Sequence, residues 1–209
     1  AKQYGYPYIQ IPNTGIQPRT ATGFLYCALL KLMKQNELLR SGRDMVKTLG
    51  HHNEEARGQD LARTLQNAVP VIYASARNFP LAYMWKIKCN ETGKIPAFQN
   101  VFPELNHNEM NGFDIKDATR ALSEKFHLIF LKDRDDSERT QKRMSITEQL
   151  YQDRGLKVTS VALSGDNRQE RIFSTLILGD WMAHYIARGY GLDSEQVPMV
   201  EEFKKLMTK

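Results

Sequence analysis

Cysteine is nearly absent. The 209 residues contain two, Cys27 and Cys89. Two thiols build no disulfide framework, and these two form no CxxC metal pair. They are read as reduced, buried small hydrophobes of a cytoplasmic protein. There is no run of about 18 apolar residues, so no membrane span is expected. The opening "AKQYGYPYIQIP" has no charged start followed by an apolar block, so no secretory leader is expected either. Charge of one sign is nowhere concentrated. Twenty-nine basic against 24 acidic residues leave +5, and acids sit among the bases in "KDRDDSERTQKR" (132–143). Nucleic-acid binding would cluster Lys and Arg on one face with aromatics between. Residues 132–143 are read as a solvated helix face instead, and the mild positive balance suits a small anionic substrate. A Gly-rich dinucleotide fingerprint, GxxxxGK[ST], GxSxG and HExxH are all missing. His51 and His52 are adjacent, cannot face the same way on a helix, and are read as solvent-exposed rather than as metal ligands.

What is present is an alternation of apolar runs and helical patterns. "YPYIQIP" (6–12) reads as a strand, "TATGFLYCALLKLMKQNELL" (20–39) as a helical stretch, and 51–68 as a helix with a polar face. "VPVIYA" (69–74), "FHLIFLK" (126–132) and "KVTSVAL" (157–163) read as strands. Residues 81–91, 136–155 and 168–191 read as helices, with Gly155 suited to a left-handed cap. A last helix is predicted over 193–209, with Asp193 or Ser194 as its N-cap. The alternation predicts an α/β fold, a mostly parallel sheet with helices on both faces. Ligands of such folds bind outside the carboxyl ends of the strands, where "YASAR" (73–77) and "LSGDNR" (163–168) fall. His127 is read as a core or edge residue of its strand, His184 as a packing residue. Trp85 and Trp181 are read as core or interface aromatics.

One segment fits neither pattern. "FPELNHNEMNGF" (102–113) sets Glu104 and Glu109 around His107, with asparagines at 106, 108 and 111. It is read as a polar, irregular loop braced by Pro96 and Pro103. Glu91 ends the preceding helix, sixteen residues before His107. A carboxylate and an imidazole on framed irregular backbone can form a proton-transfer site. They can equally be a helix-end carboxylate and a turn-bonding histidine. A metal reading is weaker, because no second histidine stands at ligand spacing.

These residues also carry a resemblance. "NETGKIPAF" (90–98) and "PELNHNE" (103–109) resemble the N-E-x-x-K-x-P-A-F and P-E-x-x-H-N-E motifs of the bifunctional phosphoglucose/phosphomannose isomerases, of the sugar isomerase (SIS) superfamily. "IPNTGIQPRTATGF" (11–24) is similar to that family's Gln-Pro-Arg-x-Ala segment. "VPVIYAS" is similar to its next strand, "LILGDWMAHYIARGYGLD" to its D-x-x-S-x-Y-L-A-x-x-x-G-x-D helix, and "VEEFKKLM" to its closing I-x-x-L-K-x-x-L. The resemblance runs in order over most of the chain.

It implies an SIS-type fold, flavodoxin-like or Rossmann-like. It implies an aldose–ketose isomerase interconverting glucose 6-phosphate and fructose 6-phosphate, and possible action on mannose 6-phosphate, without cofactor or metal. Glu91 matches the base that moves the proton between C1 and C2 through a cis-enediolate. Arg19 matches an arginine near the enediolate oxygens. His107 matches the ring-opening histidine, which reaches the partner subunit's site, and Lys204 matches a lysine that assists it. A homodimer, or a complex with an N-terminal SIS half, is implied. The family's S-x-S-G-N-T phosphate loop is missing, and "DSE" (193–195) stands where D-P-T is usual. The chain opens without methionine and matches the second half of the family. Residues 1–50 are therefore read as a strand-plus-helix segment leading from a first SIS domain, and 51–209 as an SIS-like domain with a C-terminal helix. Two alternatives stay open: a non-catalytic SIS domain that binds a sugar phosphate and regulates a partner, and a remnant that only dimerises.

Overall fold

The computed structural model describes residues 1–49 and 53–208. His51 and His52 lie outside the described residues. Four parallel strands form the sheet: β1 (Val69–Ser75), β2 (Phe98–Phe102), β3 (Phe126–Lys132) and β4 (Lys157–Ala162), in the order β2-β1-β3-β4. In the register Ile72 stands beside Gln99 of β2 and Ile129 of β3. The two central strands are buried nearly throughout. Helices cover both faces, which is why these strands are continuous apolar runs rather than alternating ones.

Side chains still divide by parity. Ile72, Ala74, Ile129 and Leu131 face one cluster, with Leu61 of α3 (Glu54–Thr64), Trp85 of α4 (Phe79–Glu91), and Met182 and Ile186 of α8 (Arg168–Gly189). Val71, Tyr73, Leu128 and Phe130 face the other, with Leu105 of α5 (Leu105–Asn108), and Met144 and Tyr151 of α7 (Glu138–Asp153). The chain leaves β1 through α4 to reach β2 and returns past β1 to β3, so the order in which parallel strands are added reverses between β1 and β3. The remaining helices are α1 (Thr22–Leu32), α2 (Asn36–Leu49), α6 (Arg120–Ser123) and α9 (Pro198–Met207). No helix among the described residues is long and apolar enough to cross a membrane.

Several expectations are corrected. Residues 6–12 belong to no strand, and Tyr6, Tyr8 and Ile9 are exposed. Their alternation is strand-like, yet no strand among the described residues pairs with them to take their hydrogen bonds. Residues 20–39 form two helices, because Lys34 turns left-handed at φ 57° and Gln35 N–H donates to the Leu30 carbonyl at 2.9 Å. β2 lies in a stretch for which the sequence predicts no strand, just before and into the segment read as loop. The segment after it is two short helical turns, α5 and a 3₁₀ turn over Met110–Phe113. The last helix starts at Pro198, and neither Asp193 nor Ser194 caps it. Asp193 Oδ1 instead accepts from Glu195 N–H at 2.7 Å, a local turn. Cys27 is exposed. Cys89 is fully buried, and burial pushes its thiol up to about 12.

α3 runs along α8 at very short range. A Cβ on Gly58 would lie 2.5 Å from Trp181 Cβ and 2.8 Å from the Met182 backbone nitrogen. Backbone cannot yield cheaply here, so overpacking of this kind costs about 1–3 kcal/mol. Gly58→Ala is therefore expected to lower Tm by roughly 2–12 °C at this chain length, read by circular dichroism. An unchanged Tm would show that the two helices can move apart.

Candidate active site

Glu91 is the last residue of α4, as its sequence position predicts. The backbone then doubles back tightly. Gly93 N–H donates to the Lys88 carbonyl at 2.9 Å, and a Cβ on Gly93 would lie 2.8 Å from the Cys89 carbonyl oxygen. Lys94 is left-handed at φ 60°. This turn aims the Glu91 side chain and the Lys94 ammonium from one small patch.

Arg19 reaches that patch from a 3₁₀ turn over Pro18–Thr20. Its Nε donates to Thr92 Oγ1 at 3.1 Å, and its Nη2 donates to the carbonyls of Ser194 (3.0 Å) and Glu195 (2.9 Å). Its Nη1 stands 3.9 Å from Glu91 Oε2, with the arginine side chain 7% and the glutamate side chain 46% exposed. The guanidinium is thus fixed while the carboxylate remains open to solvent. Lys94 Nζ donates to the carbonyls of Glu91, Ser194 and Gln196. Burial, and then the Arg19 charge, lower its pKa. Behind the patch the buried Lys88 pairs with Asp180 of α8, whose carboxyl is raised by burial. His184 Nδ1 and Ser194 Oγ share a hydrogen bond of 3.0 Å, so His184 ties α8 to the 194–196 segment as well as packing on Trp181 and Tyr185.

Of the four site residues expected from sequence, the structure joins Glu91 and Arg19. His107 is exposed on α5. Lys204 is exposed on α9, where it pairs with Glu201 at 2.8 Å. Among the described residues, neither is hydrogen-bonded or ion-paired to Glu91 or Arg19 within this chain. Thr92 and Lys94 belong to the patch and were not singled out from sequence, although Lys94 is the lysine of the N-E-x-x-K pattern. The Ser194 and Glu195 carbonyls carry no sequence signal at all.

Around His107 the other polar side chains of residues 104–109 are engaged. Asn108 Nδ2 donates to Glu104 Oε1 at 2.9 Å, and Asn106 Nδ2 to Thr147 Oγ1 of α7 at 2.9 Å. Glu109 accepts from the Tyr73 hydroxyl and from Asn100 Nδ2.

The two loops at strand carboxyl ends are filled from within. Ser75 Oγ donates to Asp136 Oδ1 at 2.6 Å, and Asn78 Nδ2 donates to Asp133 Oδ2 at 3.2 Å. Arg168 and Arg171 both pair with Asp133, at 3.0 and 3.2 Å. Asn167 caps α8 through Glu170 N–H at 3.0 Å. Residues 133–136 are thus no solvated helix face. They are the loop leaving β3, with Asp133 and Asp136 buried, and the helix starts at 138. Burial, with the Asp133 charge adding to it, raises the Asp136 carboxyl. A raised carboxyl stabilises the fold below its unfolded value, near ~3.9, and that contribution is lost as pH rises through the folded pKa. Asp136→Asn is therefore expected to be at least as stable as the parent at pH 7, with the gap in Tm closing on acidification. A variant less stable at pH 7 would contradict this.

The fold and patch define a doubly wound α/β domain with a carboxylate–guanidinium site at a helix end. The same fold occurs in a glucose-6-phosphate isomerase like protein of Thermus thermophilus, with a TM-score of 0.60 at 19% identity, over 82% of this chain and 59% of that one. Residues 54–207 match the bacterial phospho-glucose isomerase C-terminal SIS domain, and the chain belongs to that family. It is 28% identical over 211 residues to the bifunctional phosphoglucose/phosphomannose isomerase of Aquifex aeolicus, covering all of this chain and 64% of that protein. Against the protein of the same description from Caldicellulosiruptor bescii it is 32% identical over 223 residues, covering all of this chain and 65% of the relative. The chain spans just under two thirds of the curated relatives it matches.

Proposed function

We propose that the full-length protein is an aldose–ketose isomerase of 6-phosphosugars that interconverts glucose 6-phosphate and fructose 6-phosphate and also accepts mannose 6-phosphate. The observation that carries this reading is the half-exposed Glu91 carboxylate with the immobilised Arg19 guanidinium 3.9 Å away. A positioned carboxylate takes the proton from the carbon beside the carbonyl and returns it to the neighbouring carbon. A fixed guanidinium stabilises the negative charge that develops on the two oxygens meanwhile. His107 opens the sugar ring and Lys204 assists, both arriving from outside the Glu91 patch of their own chain. Hence the active form is a dimer, with His107 of one protomer serving its partner. The free Cys27 and Cys89 suit a reducing cytoplasm.

The test is the full-length protein supplied with glucose 6-phosphate in deuterated water. Fructose 6-phosphate should form, with solvent deuterium entering at the carbon that exchanges its proton. A protein that binds the sugar phosphate without turnover or exchange would leave the regulatory reading. That reading has one observation of its own: Arg19 donates to the Ser194 and Glu195 carbonyls, a structural use of the guanidinium.

A further inference from the structure

α5 has only four residues. So short a helix does not hold itself, because helix nucleation is unfavourable and its backbone bonds are too few. Its placement must come from anchors. Leu105 is one, buried in the core beneath it. Asn106, bonded to Thr147 of α7, is a second, and Glu109, two residues beyond His107, is a third. Its two carboxylate oxygens take separate donors, Oε1 from the Tyr73 hydroxyl and Oε2 from Asn100 Nδ2 at 2.5 Å. Tyr73 and Asn100 are direct register partners on β1 and β2. A cross-strand pair between the edge strand β2 and its neighbour β1 thus grips one carboxylate through two points. Tyr73 is fully buried, and burial, followed by the charges of Tyr151 and Glu109, pushes its phenol far up, so it stays a donor at any working pH. Glu104, Asn106 and Asn108 are also bonded within the chain. Among the described residues, His107 is then the one polar side chain of 104–109 that no partner in this chain engages.

We propose that Glu109 is the positioning residue for His107, its carboxylate clamped between Tyr73 and Asn100 so that α5 presents the imidazole in a fixed place. This rests on the catalytic reading of His107 given above. The chemistry is geometric. Displacing a catalytic group by about 1 Å can cost on the order of 10²-fold in rate, and releasing Glu109 frees the end of α5 nearest His107.

The experiment is a double-variant cycle in the full-length protein, with fructose 6-phosphate as substrate. His107→Ala should lower kcat by about 10²–10⁴. Glu109→Ala should lower kcat by roughly 10–10²-fold with KM changed less than about threefold, since the clamp acts through position and not through substrate contact. Tyr73→Phe removes one donor, keeps the ring in the core, and should give a smaller loss of the same kind. The deciding variant is Glu109→Ala combined with His107→Ala. If Glu109 acts through His107, the combination is no slower than His107→Ala alone. A full additional loss would mean that Glu109 supports the fold or the site generally, and would overturn the proposal. Glu109→Ala and Tyr73→Phe both at parental kcat, with His107→Ala crippled, would sink the positioning role while leaving the catalytic one. A fully active His107→Ala would remove both. Should Glu109→Ala fail to fold, Tyr73→Phe carries the same comparison in both backgrounds.

Discussion

Glu91→Gln in the full-length protein is expected to lower kcat by about 10²–10⁴, the range lost with a general base. The amide keeps the shape of the side chain but cannot take a proton. Its surroundings should survive the change: Arg19 is held by Thr92 and two carbonyls, not by Glu91, whose carboxylate is 3.9 Å from the guanidinium. Binding of the sugar phosphate should therefore remain near parental, and Tm should not move beyond the small change expected at a partly exposed site. A variant with parental kcat would remove Glu91 from the chemistry and leave the patch as structural.

The second large effect is expected from the chain by itself. The 209 residues should isomerise fructose 6-phosphate orders of magnitude more slowly than the full-length protein. Binding energy from a remote phosphate normally serves to place the reacting carbons. Here side chains of both loops at the strand carboxyl ends are already held within the fold, Ser75 by Asp136 and Arg168 with Arg171 by Asp133. The relatives are about half as long again, and we predict that in a protein of that length the phosphate-holding donors lie in the part this chain does not match. The comparison is made on purified chain and full-length protein at equal molarity. Equal rates would mean that a phosphate displaces one of those carboxylates from its own loop.

The central strands were legible because burial on both faces leaves an unmistakable composition: "VPVIYA" and "FHLIFLK" are β1 and β3 almost to the residue. β2 was not legible. It is five residues, mostly half-buried, and ends against Pro103, so it offers neither a long apolar run nor a clear alternation. "YPYIQIP" shows the opposite failure: its local pattern is that of a strand, but pairing depends on a neighbour that sequence periodicity does not supply. The site divides similarly. The helix-end position of Glu91 follows from local pattern. The approach of Arg19 to residues 194 and 195 joins positions 175 and 176 residues apart through backbone carbonyls, which any side chain would present equally. The engagement of Glu109 by Tyr73 and Asn100 needed the strand register, and so needed β2.

The guanidinium of Arg19 is also a keystone in the mechanical sense. It joins the N-terminal arm, the end of α4 and the segment that leads into α9, the helix carrying Lys204. On the proposed function, Arg19→Ala is therefore expected to remove the positive charge beside Glu91 and to slacken the tether of the helix that carries Lys204 in one stroke. Added guanidine can separate the two: a small soluble cation seated in the vacated space restores charge beside Glu91 but does not restore a covalent link between the arm and the rest. The fraction of rate it recovers measures the electrostatic share, and the remainder is what the arm contributes by being attached.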